Sequence, residues 1–145
     1  MRTIAMTACA ALIASVAHAH VTVMPRESQA GMEQRYTVRV PTEGQVTTTS
    51  VELEIPAGVT VSEVISGEGY TFDVRREGDR VVAITWKREI PPKQSAEFVF
   101  VARNPPEAAA LAWKAHQHYA DGTSANWVGV EGDRRPASVT RLTAR

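Results

Sequence analysis

The sequence predicts an all-β fold, an antiparallel sandwich, on three observations. Apolar residues recur at every second position through most of the chain, the period of a half-buried strand. Turn signals rich in glycine and proline break these stretches at short intervals, as in a meander of short strands. Only one brief stretch, Pro106 to Leu111, favours helix, and it is long enough for a turn or two.

In order along the chain, the first element is a leader. Met1 and Arg2 make a short positive start, and no further charge follows until Arg26. Ile4 to Val16 (IAMTACAALIASV) is an apolar run of signal-peptide length, short for a bilayer span. It has no polar face, which argues against a buried N-terminal helix. Ala17-His18-Ala19 then offers the small-x-small pattern that signal peptidase cuts. The expectation is an exported protein, periplasmic or extracellular, with a leader over residues 1–19 and one domain over residues 20–145. Cutting after Ala19 is favoured. Cutting after Ala17 is the alternative, and it leaves His18-Ala19-His20 at the new terminus.

The strands come next. Tyr36, Val38 and Val40 alternate with Thr37 and Arg39. Thr49, Val51, Leu53 and Ile55 alternate with Ser50, Glu52 and Glu54. Val82, Ile84 and Trp86 form a third inward face, and Phe98, Phe100 and Ala102 a fourth. Between them lie Pro41-Thr42-Glu43-Gly44, Pro56-Ala57-Gly58, Gly67-Glu68-Gly69, Glu77-Gly78-Asp79, Pro91-Pro92 and Asp121-Gly122. The final stretch, EGDRRPASVTRLTAR, is too polar to enter a membrane, so a soluble mature chain without a transmembrane anchor is expected.

Composition excludes some functions. Basic and acidic residues balance at 16 each, and loss of Arg2 with the leader tips the mature chain slightly acidic. A nucleic-acid partner, which needs a basic face, is not expected. The one cysteine, Cys9, falls in the leader, so neither a disulfide nor a reactive thiol is expected after cleavage.

His20 carries the most chemistry. As a mature N-terminus it offers two nitrogens, the α-amine and imidazole Nδ1, that close one chelate ring on a metal. Such groups release their protons at about pH 6.5–8, so Cu(II) competes for them near neutrality. Nitrogen and oxygen donors in a tetragonal array favour Cu(II) among common metals. His116 and His118, two apart on an expected strand, share a face and form a candidate second site. For an oxygen donor the residues alone leave both Glu27 and Glu33 open. The three tryptophans read as core.

The run HVTVMPRESQAGMEQRYTVRVPTE, His20 to Glu43, resembles the opening of the YcnI-like family of exported copper-binding domains. The segment Gln117-His118-Tyr119-Ala120-Asp121-Gly122-Thr123, with Trp127 following, is similar to that family's Gln-x-Tyr-x-Asp-Gly stretch and its tryptophan. The resemblance implies a Greek-key sandwich, cupredoxin-like or immunoglobulin-like. It also implies one Cu(II) held by a single-histidine brace, whose residues map to His20, Glu33 and Trp127, the last lying over the metal as a cation–π partner. Many relatives add a C-terminal membrane anchor, which is not expected here. The implied role is copper trafficking or homeostasis without turnover, with another copper-handling envelope protein as the kind of partner expected. Two rival classes stand beside it. An oxidative copper enzyme needs a second histidine and an extended aromatic surface, and aromatic residues make up only 6% of this chain. A metal-free adhesion or assembly module is the other.

Overall fold

The computed structural model describes residues 20–145, and the expected leader over residues 1–19 lies outside the described residues. Among the described residues there are twelve strands: β1 (Thr22–Met24), β2 (Glu27–Gln29), β3 (Glu33–Pro41), β4 (Thr48–Glu54), β5 (Thr60–Val64), β6 (Thr71–Glu77), β7 (Arg80–Ile90), β8 (Ser95–Arg103), β9 (Ala110–Trp113), β10 (Ala115–Tyr119), β11 (Ser124–Trp127) and β12 (Ser138–Thr143). They form a four-stranded sheet in the order β1-β3-β8-β5 and a five-stranded sheet in the order β11-β10-β4-β7-β6. A third sheet runs β2-β12-β9. Sheet neighbours come from distant parts of the chain, β3 beside β8 and β10 beside β4, the crossing connectivity of a Greek-key sandwich. Every pairing is antiparallel except β2 with β12.

Alternation builds the core as expected in β3 and β8. Tyr36, Val38 and Val40 face Phe98, Phe100 and Ala102 across one pair, and all are buried. Trp86 of β7 stacks on Phe98 from the opposite sheet, with centroids 5.3 Å apart and planes 13° apart. Trp113 of β9 closes the cluster at 4.9 Å from Tyr36 and 5.6 Å from Phe100. Burying a side chain such as Phe100 completely contributes roughly 1.5–3 kcal/mol, so this interlocked set holds the three sheets together.

Two local expectations are corrected. Val82 is not part of the inward face with Ile84 and Trp86. Arg75 pairs with Ala83 but Arg76 pairs with Val81, which leaves Val82 as the extra residue of a bulge and puts Val81 and Ala83 inside. Pro106 to Leu111 does not form a helical turn: it bends at Pro106 and Glu107 and enters β9 at Ala110. Leu111 and Trp113 alternate inward there, and pairing with β12 outweighs the helix preference of three successive alanines.

The N-terminal segment is held by side chains. The Ser138 hydroxyl accepts from the Val23 amide at 2.9 Å and donates to the Val23 carbonyl at 3.3 Å. At the cis Met24–Pro25 bond the chain passes from the first sheet to the third, and Thr140 Oγ1 donates to the Pro25 carbonyl at 2.8 Å. Beyond this point Tyr36 Oη donates to Asn104 Oδ1, and the Asn104 amide donates to Ser28 Oγ and the Gln29 carbonyl. Burial pushes the Tyr36 phenol up to about 12, against the lowering effect of Asn104 and Ser28, so it stays a neutral donor.

Candidate functional site

The site is built on the hairpin of β10 and β11. Its turn is closed by Asp121, whose Oδ1 accepts from the Thr123 amide and hydroxyl at 3.0 and 2.6 Å. Those bonds hold the exposed carboxyl below its ordinary value. Gly122 takes a positive φ of 84°, the left-handed backbone that glycine adopts without steric cost. Register then sets His116 opposite Asn126, Gln117 opposite Ala125 and Ala115 opposite Trp127. Ala115, Gln117, Ala125 and Trp127 therefore point inward, and His116, His118, Ser124 and Asn126 outward.

The inward face carries a polar chain. Trp127 Nε1 donates to Gln117 Oε1 at 3.1 Å. Gln117 Nε2 donates to the Pro41 carbonyl at 2.9 Å and to Thr48 Oγ1 at 2.7 Å. Thr42 Oγ1 donates to the Ile90 carbonyl at 2.9 Å, so the 2.7 Å contact between the two threonines must be donated by Thr48. The indole can only donate, so the Gln117 amide has one allowed orientation and the whole chain has one direction. Gln117, Thr48 and Thr42 are all at most 1% exposed, so each broken link strands a buried group.

His20 is the first described residue of the chain. Thr22 pairs with Arg39, which aligns the start of β1 with the Pro41 end of β3. The half-buried His20 ring lies on Trp127, with centroids 5.3 Å apart and planes inclined at 50°. Beside it opens a cleft of about 530 Å³, lined by His20, Arg26, Glu27, Glu131, Asp133 and Arg141 among others. One wall is the loop after β11. Gly129 donates to the Arg135 carbonyl, Ala137 donates back to the Gly129 carbonyl, and Asp133 accepts from the Val130 amide at 3.0 Å. A side chain at Gly129 would collide with the Asp133 carboxylate, so the loop closes this tightly only with glycine there.

Of the three residues expected to share the site, the structure brings two together. His20 and Trp127 touch, and Trp127 is buried except for 7% of its surface. Glu33 does not join them. It begins β3 and pairs with Arg103, whereas β1 meets the other end of that strand. Six residues separate Glu33 from Arg39, the partner of Thr22, roughly 20 Å of strand. Glu27, left open by the residues alone, lines the His20 cleft.

His116 and His118 share the outer face, but His116 is already engaged. Its Nδ1 meets Asn126 Oδ1 and its Nε2 meets Glu54 Oε2, each at 2.8 Å. Burial works against its charged form, but the bonds to Asn126 and Glu54 and the charges of Glu54 and Glu52 outweigh it and raise the imidazole above 6.5. Both ring nitrogens are engaged, so His116 reads as a clamp across β4, β10 and β11 rather than half of a chelate. Among the described residues, no group of three or more His, Cys, Asp or Glu side chains is arranged to hold a metal. Trp86 and Trp113 are core, as expected. Gln117 joins the site through a side chain with no ionisable or metal-ligating chemistry of its own. Its signal was a polar side chain at an inward position between two outward histidines.

No helix among the described residues is long and apolar enough to cross a membrane. The Copper-binding protein CutI of Bacillus subtilis (strain 168) is 36% identical over 153 residues, covering 99% of this chain and 75% of that protein. An uncharacterized protein from Nocardia farcinica, whose crystal structure reveals an immunoglobulin-like fold, superposes with a TM-score of 0.74 at 26% identity, covering 87% of this chain and 99% of that one. A cohesin module from a Clostridium perfringens family 33 glycoside hydrolase superposes at 0.59 with 15% identity, covering 88% of this chain and 98% of that one, a likeness of fold alone. Residues 20–142 match the model of the family described as Domain of unknown function (DUF1775), and the chain belongs to that family.

Proposed function

We propose that residues 20–145 form an exported copper-binding module that holds one Cu(II) through His20 once cleavage after Ala19 has freed its amine. The observation that carries this is the contact of the His20 imidazole with the Trp127 indole, beside a cleft that His20 lines together with charged side chains. The donor chemistry fits. Among the described residues no three side-chain ligands cluster, and a terminal α-amine with its own imidazole supplies two nitrogens from one residue. Trp127 keeps its indole proton on Gln117, so it serves the metal by covering one face and excluding water, with a cation–π attraction, rather than by donating a lone pair. A carboxylate of the cleft, Glu27 in our reading, offsets charge in place of Glu33.

The similarity to a protein named for copper binding supports the choice of metal. The module binds rather than turns over substrate, and its setting is the cell envelope, where it passes copper to or from another copper-handling protein. The test compares protein beginning at His20 with protein carrying one extra residue before it. Blocking the amine removes one of two nitrogens and opens the chelate, so Cu(II) affinity should fall by roughly 100-fold, about 2.8 kcal/mol. Equal affinity of the two forms would refute the brace.

A further inference from the structure

We infer that Gln117 is the positioning residue of the site, a buried amide that fixes the Trp127 indole against His20; this rests on the copper reading only for its consequences on metal release. Gln117 reaches both halves of the site. Its carbonyl oxygen accepts a hydrogen bond from the Trp127 indole at 3.1 Å, and its amide nitrogen holds the carbonyl of Pro41, at the end of β3 beside which the N-terminal segment starts. The bond to Thr48, and through it to Thr42 and the Ile90 carbonyl, uses the second amide hydrogen and stops the amide from turning over. With its N–H pinned inward, the indole keeps one orientation and presents its ring to the imidazole at 5.3 Å. A purely apolar residue at position 117 would fill the space but leave the indole proton, the Pro41 carbonyl and Thr48 without this partner.

The two functions of the amide are separable. Gln117→Glu keeps an oxygen for the indole proton but loses the two N–H donors to Pro41 and Thr48. Gln117→Met keeps the approximate shape and loses both. Each variant should melt below the wild type, but only Gln117→Met should release the indole. The readout is the metal-free protein by NMR. The Trp127 ring current shifts the His20 ring protons, and the Trp127 indole proton is protected from exchange. Gln117→Glu should retain both signatures and Gln117→Met should lose both. If the two signatures follow the melting temperature through both variants, Gln117 is a structural residue and the inference fails. If Gln117→Met leaves the His20 shift at its wild-type position, the inference also fails.

The copper measurement is kept apart. On protein starting at His20, Gln117→Met should release Cu(II) to a chelator roughly 10-fold faster or more, the size of effect that outer-shell partners of metal ligands exert. Unchanged release together with lost ring contact would uphold the positioning of Trp127 and overturn its service to copper. Failure of the wild type to bind copper at all, with the NMR signatures intact, would overturn the copper reading alone.

Discussion

Trp86 and Trp113 provide a matched pair for measuring what one indole hydrogen bond contributes to this core. Both are fully buried, at 0% and 1% exposed, and both pack against Phe100. They differ in the N–H. Trp113 Nε1 donates to Thr140 Oγ1 at 3.0 Å, while Trp86 Nε1 has no acceptor among the described residues. Replacing either by phenylalanine removes the same atoms, so the cavity and transfer terms cancel to first order in the comparison. What remains has opposite signs. Trp86→Phe removes an unsatisfied buried donor that costs the wild type about 1–3 kcal/mol, whereas Trp113→Phe loses a bond worth about 0.5–1.5 kcal/mol. Trp113→Phe should therefore be the more destabilising by about 2 kcal/mol or more, roughly 6–10 °C in melting temperature for a domain of this size. Denaturant unfolding followed by far-ultraviolet circular dichroism measures this without relying on the altered fluorophores. Equal losses, or a larger loss at Trp86, would refute the assignment of the orphaned donor.

Two further outcomes are expected. Substituting the acids separates the cleft from the far end of β3: Glu27→Gln should weaken Cu(II) binding and alter its electron paramagnetic resonance spectrum, while Glu33→Gln should do neither, and an effect of Glu33 alone would return the site to the arrangement implied by resemblance. His116 should make stability pH-dependent: its folded pKa is raised from 6.5, so its contribution is fully present below about pH 6.5 and is lost as pH rises through the higher folded value. His116→Gln should remove that part of the profile, and a wild-type stability that climbs across this window because of His116 would reverse the assigned sign.

Structure is legible in this sequence where it depends on neighbours in the chain. Two-residue alternation placed Tyr36, Val38, Val40, Phe98, Phe100 and Ala102 on inward faces, because a pleat decides this within a few residues. It failed at Val82, because a bulge depends on how the partner strand is counted, and Arg75 and Arg76 lie on another strand. The three alanines before Leu111 favour helix locally, but β12 supplies the pairing that draws them into a strand, and nothing near Pro106 announces it.

The site shows the same division more sharply. Alternation tells which face of β3 a residue occupies but not which end of β3 another strand will meet. Glu33 opens that strand and so stands near His20 in sequence, yet the antiparallel pairing of β1 sets the N-terminus beside the Pro41 end instead. His20 and Trp127 meet from opposite ends of the described chain, and each is delivered by a register that long-range pairing sets: β1 on β3, and β11 on β10. Gln117 was legible in part, since an amide at an inward position of a strand must find buried partners or destabilise the fold. Its partners were not legible, because Trp127, Pro41 and Thr48 belong to three other strands. A residue that joins three strands at one point carries no local pattern beyond its own polarity. A buried polar side chain on an apolar strand face is therefore the sequence signal most worth following to a site.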